Sequence, residues 1–191
     1  MGRRKAAASQ QAYMVMENNF SIIISTCDKF SDLWDAHILL LNQNWADRNV
    51  ETFLVTDKPT DRTFENVTVV AAGEGTEITE RLKVVLPLVK TEYVLFTLDD
   101  YFLTEKISTQ ALNEDIQIME KHQIDYLRLF VMTMKSLRNR KAKELEQGIF
   151  LLDNHAGDYI VSLYAGMDDR RKNMYDCGYI CSCKCNTACK N

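Results

Sequence analysis

The sequence predicts an α/β fold, a mainly parallel sheet with helices on both faces. Two observations carry it. Short β-branched apolar runs recur between residues 20 and 131, and segments with apolar residues at helical spacing lie between most of them. Strands that alternate with helices belong to a parallel sheet covered on both sides.

The elements follow in order. Phe20 to Ser25 is a continuous apolar run and reads as a buried parallel strand. Turn-formers follow from Asp28 to Asp32. Leu33, Trp34, His37, Ile38, Leu40 and Leu41 then recur at the spacing of one helix face. Glu51 to Thr56 is a second strand, stopped by Asp57-Lys58-Pro59, and Val67 to Ala71 a third. Thr76 can cap a helix that runs to about Leu88. Tyr93 to Leu98 is the clearest buried strand and ends abruptly in Asp99-Asp100. Ser108 caps a helix through about Lys121, with Leu112, Ile116 and Met119 on one face. Tyr126 to Val131 is a further strand, and Ile160 to Tyr164 a later one.

The chain has 191 residues, enough to bury a real core. Hydrophobic residues make up 46% and charged residues 26%, which excludes disorder throughout. A formal charge of −4 calls for no polyanion, so a nucleic-acid partner is not expected. No apolar run is long enough to cross a bilayer. No apolar stretch follows the basic Arg3-Arg4-Lys5, so a signal peptide fits poorly. The expected location is cytoplasmic, with contact at the inner face of a membrane left open.

Three segments are expected. Residues 1–17 form a loose extension and 18–166 the folded domain, with a cysteine-rich tail at 167–191. The tail holds Cys177, Cys181, Cys183, Cys185 and Cys189, and two of its spacings are single residues. That pattern suits one tetrahedral zinc site poorly. The composition break after Gly166 points instead to a non-native or disordered end, with no structural zinc.

In an open α/β sheet, ligands bind at the carboxyl ends of the strands. That rule selects Ser25-Thr26-Cys27-Asp28, Asp57 and Asp99-Asp100. Four carboxylates at one edge repel one another unless a cation or hydrogen-bond donors sit among them. Hard oxygen ligands of this kind suit Mg²⁺ or Mn²⁺, which can bridge to a diphosphate.

The runs Phe-Ser-Ile-Ile-Ile-Ser-Thr-Cys-Asp, Phe-Leu-Val-Thr-Asp and Tyr-Val-Leu-Phe-Thr-Leu-Asp-Asp-Tyr-Phe-Leu, together with their spacing, resemble the nucleotide-sugar-binding half of bacterial glycosyltransferases of the GT-A fold. The resemblance covers residues 20–131. It implies a Rossmann-like sheet and transfer of a sugar from a nucleotide diphosphate to a saccharide or lipid-linked acceptor in surface polysaccharide synthesis. It places Thr26, Asp28, Asp57, Arg81 and Asp99 against the nucleotide sugar, and a divalent cation on Asp99 and Asp100. The family's acidic motif is usually Asp-X-Asp, whereas here Tyr101 follows the pair. The resemblance also implies an acceptor half that begins near Lys135 and is cut short, so that transfer is weak or lost. No catalytic base is named, and inversion and retention of configuration both stay open.

Each site residue also has a plainer account. Asp57-Lys58-Pro59 is an ordinary turn, and Thr26 and Asp28 can cap the next helix. Lys83 reads as part of a solvated face, and the basic stretch Lys135, Arg138, Arg140, Lys141 and Lys143 likewise. His155 sits in a turn and is no evidence for a base. Two other classes compete. One is a phosphotransferase of the haloacid-dehalogenase type with Asp28 as nucleophile, although the Asp-X-Asp-X-Thr pattern is absent. The other is a decayed, non-catalytic interaction module.

Overall fold

A computed structural model describes residues 18–75, 77–129, 143–146, 149–152, 160–163 and 178–182. Among the described residues, the apolar runs of the chain build one sheet of nine strands. Its strands are β1 (Phe20–Ser25), β2 (Thr52–Thr56), β3 (Thr68–Ala71), β4 (Tyr93–Leu98), β5 (Tyr126–Leu129), β6 (Lys143–Glu146), β7 (Ile149–Leu152), β8 (Ile160–Leu163) and β9 (Gly178–Ser182). Their order is β3-β2-β1-β4-β9-β5-β8-β7-β6. The four strands at one end, β3, β2, β1 and β4, are mutually parallel. β9 runs antiparallel to both its neighbours, and β6-β7-β8 form an antiparallel ribbon.

The helices divide between the two faces because strand side chains alternate. Phe20, Ile22 and Ile24 of β1 join Leu54, Tyr93, Leu95 and Leu127 in one core. It is closed by Trp34, Ile38 and Leu41 of α1 (Trp34–Asn44) and Leu112, Ile116 and Met119 of α3 (Thr109–His122). The intervening residues Ile23, Phe53, Val55 and Val94 form a second core beneath Val85 of α2 (Ile78–Val85). Each fully buried aliphatic chain contributes roughly 1.5–3 kcal/mol, so the larger core on the α1 and α3 face dominates. Trp45, just past α1, stacks on Phe20 with ring centroids 6.1 Å apart.

The sequence reading of β1 to β5, of α1 and α3 and of β8 matches these elements to within a few residues. Ser108 caps α3 as expected, its hydroxyl accepting the Ala111 N–H at 3.3 Å. α2 departs from the reading. It ends at Val85 and continues as a 3-10 turn over Leu86–Leu88, because Pro87 has no N–H to give to an α-helical bond. Its N-cap is Glu77, with no side-chain cap, and Thr76 lies outside the described residues.

β6, β7 and β9 escaped the sequence reading. β9 matters most, because Gly178–Ser182 lies in the stretch expected to stand outside the domain. Instead it fills the gap between β4 and β5, with Ile180 opposite both Leu95 and Leu127. Ile180 is 1% exposed. Cysteine-rich flanks hid an apolar strand whose partners lie about fifty and eighty residues earlier in the chain. Lys143, read as part of a basic solvated stretch, is exposed at the start of β6. Lys135, Arg138, Arg140, Lys141, His155, Cys177, Cys183, Cys185 and Cys189 lie outside the described residues, as does the extension 1–17.

Candidate functional site

Parallel register brings the candidate site together. Ser25 of β1 stands opposite Val55 of β2 on one side and Leu98 of β4 on the other. The three strands therefore end level, and the residues just beyond them, Thr26, Asp57 and Asp99, share one edge. Strand alternation then sorts them by face. Thr26 continues the even series of β1 and Asp99 the odd series of β4, the two series that face α1. Ser25 belongs to the opposite series and faces α2.

On the α1 face the contacts are buried. The Thr26 hydroxyl donates to the Asp99 carboxylate at Oδ2. The Trp34 indole N–H donates to the same Thr26 oxygen at 2.7 Å. His37, one helical turn after Trp34, places Nδ1 3.1 Å from the Asp99 backbone carbonyl. A carbonyl can only accept, so His37 carries its proton on Nδ1. Asp99 is 7% exposed, His37 3% and Thr26 2%. Burial raises the Asp99 carboxyl pKa, Thr26 opposes the rise and the neighbouring Asp100 charge adds to it. Burial lowers the His37 pKa, against the bond to Asp99 and the attraction of Asp100. His37 is thus neutral at pH 7. A cavity of about 20 Å³, roughly the size of one water, adjoins His37, Thr97 and Tyr101 between α1 and β4.

On the solvent side the contacts are looser. Asp57 Oδ1 accepts the Asp28 backbone N–H at 2.5 Å, tying the loop after β2 to the loop after β1. The Asp28 carboxylate lies 3.5 Å from Lys58 Nζ, with both side chains nearly half exposed. Arg81 reaches across from α2 and donates to the Thr26 carbonyl at 2.5 Å and to the Ser25 hydroxyl at 3.3 Å. Asp100 is exposed. Among the described residues no donor is assigned to its carboxylate.

All six residues selected from sequence, Thr26, Asp28, Asp57, Arg81, Asp99 and Asp100, therefore meet at the edge of β1, β2 and β4. The expected repulsion among the carboxylates is relieved largely by donors of the protein itself: Thr26 for Asp99, a backbone amide for Asp57 and Lys58 for Asp28. Asp100 is the exception. Among the described residues no group of three or more His, Cys, Asp or Glu side chains could hold a metal. A pair still fits Mg²⁺ or Mn²⁺, because such ions keep several waters and take one or two carboxylates plus substrate phosphates. Asp100 would supply exposed oxygens and Asp99 a carboxylate already oriented.

Trp34 and His37 were read from sequence only as core positions of α1. Their signal was chemical rather than periodic. An apolar helix face that carries an indole N–H and an imidazole needs buried partners for both. Arg62 was also missed. Its guanidinium lies 5.3 Å from the Trp34 ring centroid and 5.4 Å from that of Phe64. It also bonds the Ser31 carbonyl and Asp35, which fixes the loop after β2 against the start of α1.

No protein-family model matches the sequence, and no curated protein matches it. Solved structures do. Bifunctional IspDF from Campylobacter jejuni is similar at a TM-score of 0.50 and 14% identity, over 91% of this chain and 43% of that one. S. aureus TarS 1-349 is similar at a TM-score of 0.42 and 20% identity, over 68% of this chain and 39% of that one. The same protein in complex with UDP-GlcNAc gives 0.40 and 20%, over 68% and 37%. The chain spans about two fifths of the length of these structures. With the sheet order, the likeness to IspDF shows a Rossmann-like α/β fold. Among the described residues no helix is long and apolar enough to cross a membrane.

Proposed function

We propose that this chain holds the donor site of a transferase that uses a nucleotide-diphosphate sugar and a saccharide or lipid-linked acceptor. One observation carries the reading. Six polar residues from three adjacent strand ends and one helix converge at the carboxyl edge, where open α/β sheets take their ligands.

The roles are those the resemblance implies, and the geometry supports them. The loops after β1 and β2, clasped through Asp28 and Asp57, form the wall for base and ribose. Arg81 brings a guanidinium to the end of β1, where it can meet a phosphate. Asp99 and Asp100 would hold a divalent cation, which supplies charge neutralisation of the departing diphosphate. Burial keeps Asp99 fixed, whereas Asp100 is free to turn toward a ligand.

The test is thermal stabilisation by UDP and GDP with and without Mn²⁺, followed by turnover of UDP- and GDP-sugars. Stabilisation that needs both nucleotide and Mn²⁺, and that disappears in Asp100→Ala, supports the reading. Equal behaviour of wild type and Asp100→Ala would place any nucleotide site elsewhere.

A further inference from the structure

We infer that Trp34 and His37 of α1 are positioning residues that hold Asp99 at two points, side chain and main chain, through hydrogen bonds whose direction is fixed. The inference rests on the donor-site reading for its consequence, though not for its geometry.

The direction of each bond follows from elementary chemistry. An indole N–H can only donate. The Trp34 bond to Thr26 Oγ1 at 2.7 Å therefore occupies an acceptor lone pair of that hydroxyl. The hydroxyl proton is left for one strong acceptor, Asp99 Oδ2. The alternative, the Cys27 carbonyl, is at 3.4 Å and is weaker. Trp34, Thr26 and Asp99 thus form a chain that runs one way. Bonds in such a chain polarise one another, and it ends on a carboxylate, where a donor counts most.

The second point is His37, whose Nδ1–H donates to the Asp99 carbonyl at 3.1 Å. Trp34 and His37 are three residues apart on one helix face, so a single rigid element grips both parts of Asp99. That carbonyl leads into the peptide bond of Asp100, so the grip also sets where Asp100 leaves the strand. Trp34 itself is held from outside by the Arg62 guanidinium. Phenylalanine would keep an aromatic ring at either position without its N–H, smaller than the indole at 34 and larger than the imidazole at 37, where the adjoining cavity leaves room.

The experiment uses Trp34→Phe, Thr26→Val, Thr26→Ser, His37→Phe and His37→Asn in the full chain. UDP with Mn²⁺ is the binding probe, denaturant unfolding the control and nitrogen-15 NMR the direct readout. The wild-type spectrum is expected to show His37 as the Nδ1–H tautomer. The Trp34 indole signal should be protected from exchange and should move in Thr26→Val but return in Thr26→Ser. Affinity for UDP with Mn²⁺ should fall about tenfold in Thr26→Val, which loses a hydrogen bond to a carboxylate, and by about threefold to tenfold in Trp34→Phe and His37→Phe, which lose bonds to a neutral hydroxyl and a neutral carbonyl. It should recover in Thr26→Ser and in His37→Asn, whose amide N–H stands where Nδ1–H did. An Nε2–H tautomer, or an indole signal indifferent to Thr26→Val, overturns the inference. So does affinity that follows unfolding stability with no rescue. If wild type binds no nucleotide diphosphate, the donor-site reading fails, and the tautomer and indole signals alone decide the network.

Discussion

The carboxyl edge of the sheet has two halves built on opposite terms. On the α1 face, Asp99 is buried and bonded through both its side chain and its main chain. On the solvent side, Asp28, Asp57 and Asp100 are exposed or half-exposed, and their ties are single bonds or none. The difference teaches that carboxylates grouped by position divide by burial into different tasks. A buried acid with fixed donors offers its carboxylate in one orientation, because moving it would strand polar atoms away from water. An exposed acid costs little to redirect and can meet a ligand.

The sharpest way to break this contrast is on the buried side. Trp34→Ala removes a 1% exposed ring together with the donor to Thr26. It is expected to cost about 3–5 kcal/mol of folding stability, read by denaturant unfolding. A loss equal to that of an exposed substitution would show that the inner half is not built as described. On the outer side, Asp100→Ala should leave stability within about 0.5 kcal/mol, while removing the Mn²⁺-dependent effect of UDP on melting temperature. A large stability loss would move Asp100 into the inner half.

Acid sharpens the contrast further. The His37 pKa is depressed in the folded protein, so between its ordinary value near 6.5 and its lower folded value the unfolded chain binds more protons. Stability therefore falls as pH drops through that window. Asp99 works in the opposite sense. Its folded pKa is raised above the ordinary 3.8, so its protonation on further acidification favours the folded state. Unfolding measured from pH 7 downward should show a His37 slope that His37→Asn abolishes. A slope retained in that variant would assign the proton uptake elsewhere. The smallest effect expected is at Lys58, whose pair with Asp28 is exposed on both sides. Lys58→Ala should change stability by less than about 1 kcal/mol, the usual worth of such a pair. A larger loss would mean that the outer clasp is as firmly built as the inner one.

The amino-acid sequence by itself determined the parallel half of the sheet and the place where it ends. Phe20–Ser25, Thr52–Thr56 and Tyr93–Leu98 are legible because buried parallel strands are continuous β-branched runs, and the stop at Asp99-Asp100 is equally local. The convergence of Thr26, Asp28, Asp57, Asp99 and Asp100 at one edge was legible for the same reason, since each lies just past a strand end, whereas Arg81 reaches that edge from α2. Tertiary structure decided what periodicity does not encode. Which face each acid takes depends on strand register, and that register pairs residues some thirty to seventy positions apart. The Thr26 hydroxyl found Asp99 across 73 residues, and α1 turned two apparent core side chains into donors for that acid. β9 shows the same limit at larger scale. Gly-Tyr-Ile-Cys-Ser is a short apolar run hidden among cysteines, and its central place in the sheet rests on pairing with both β4 and β5.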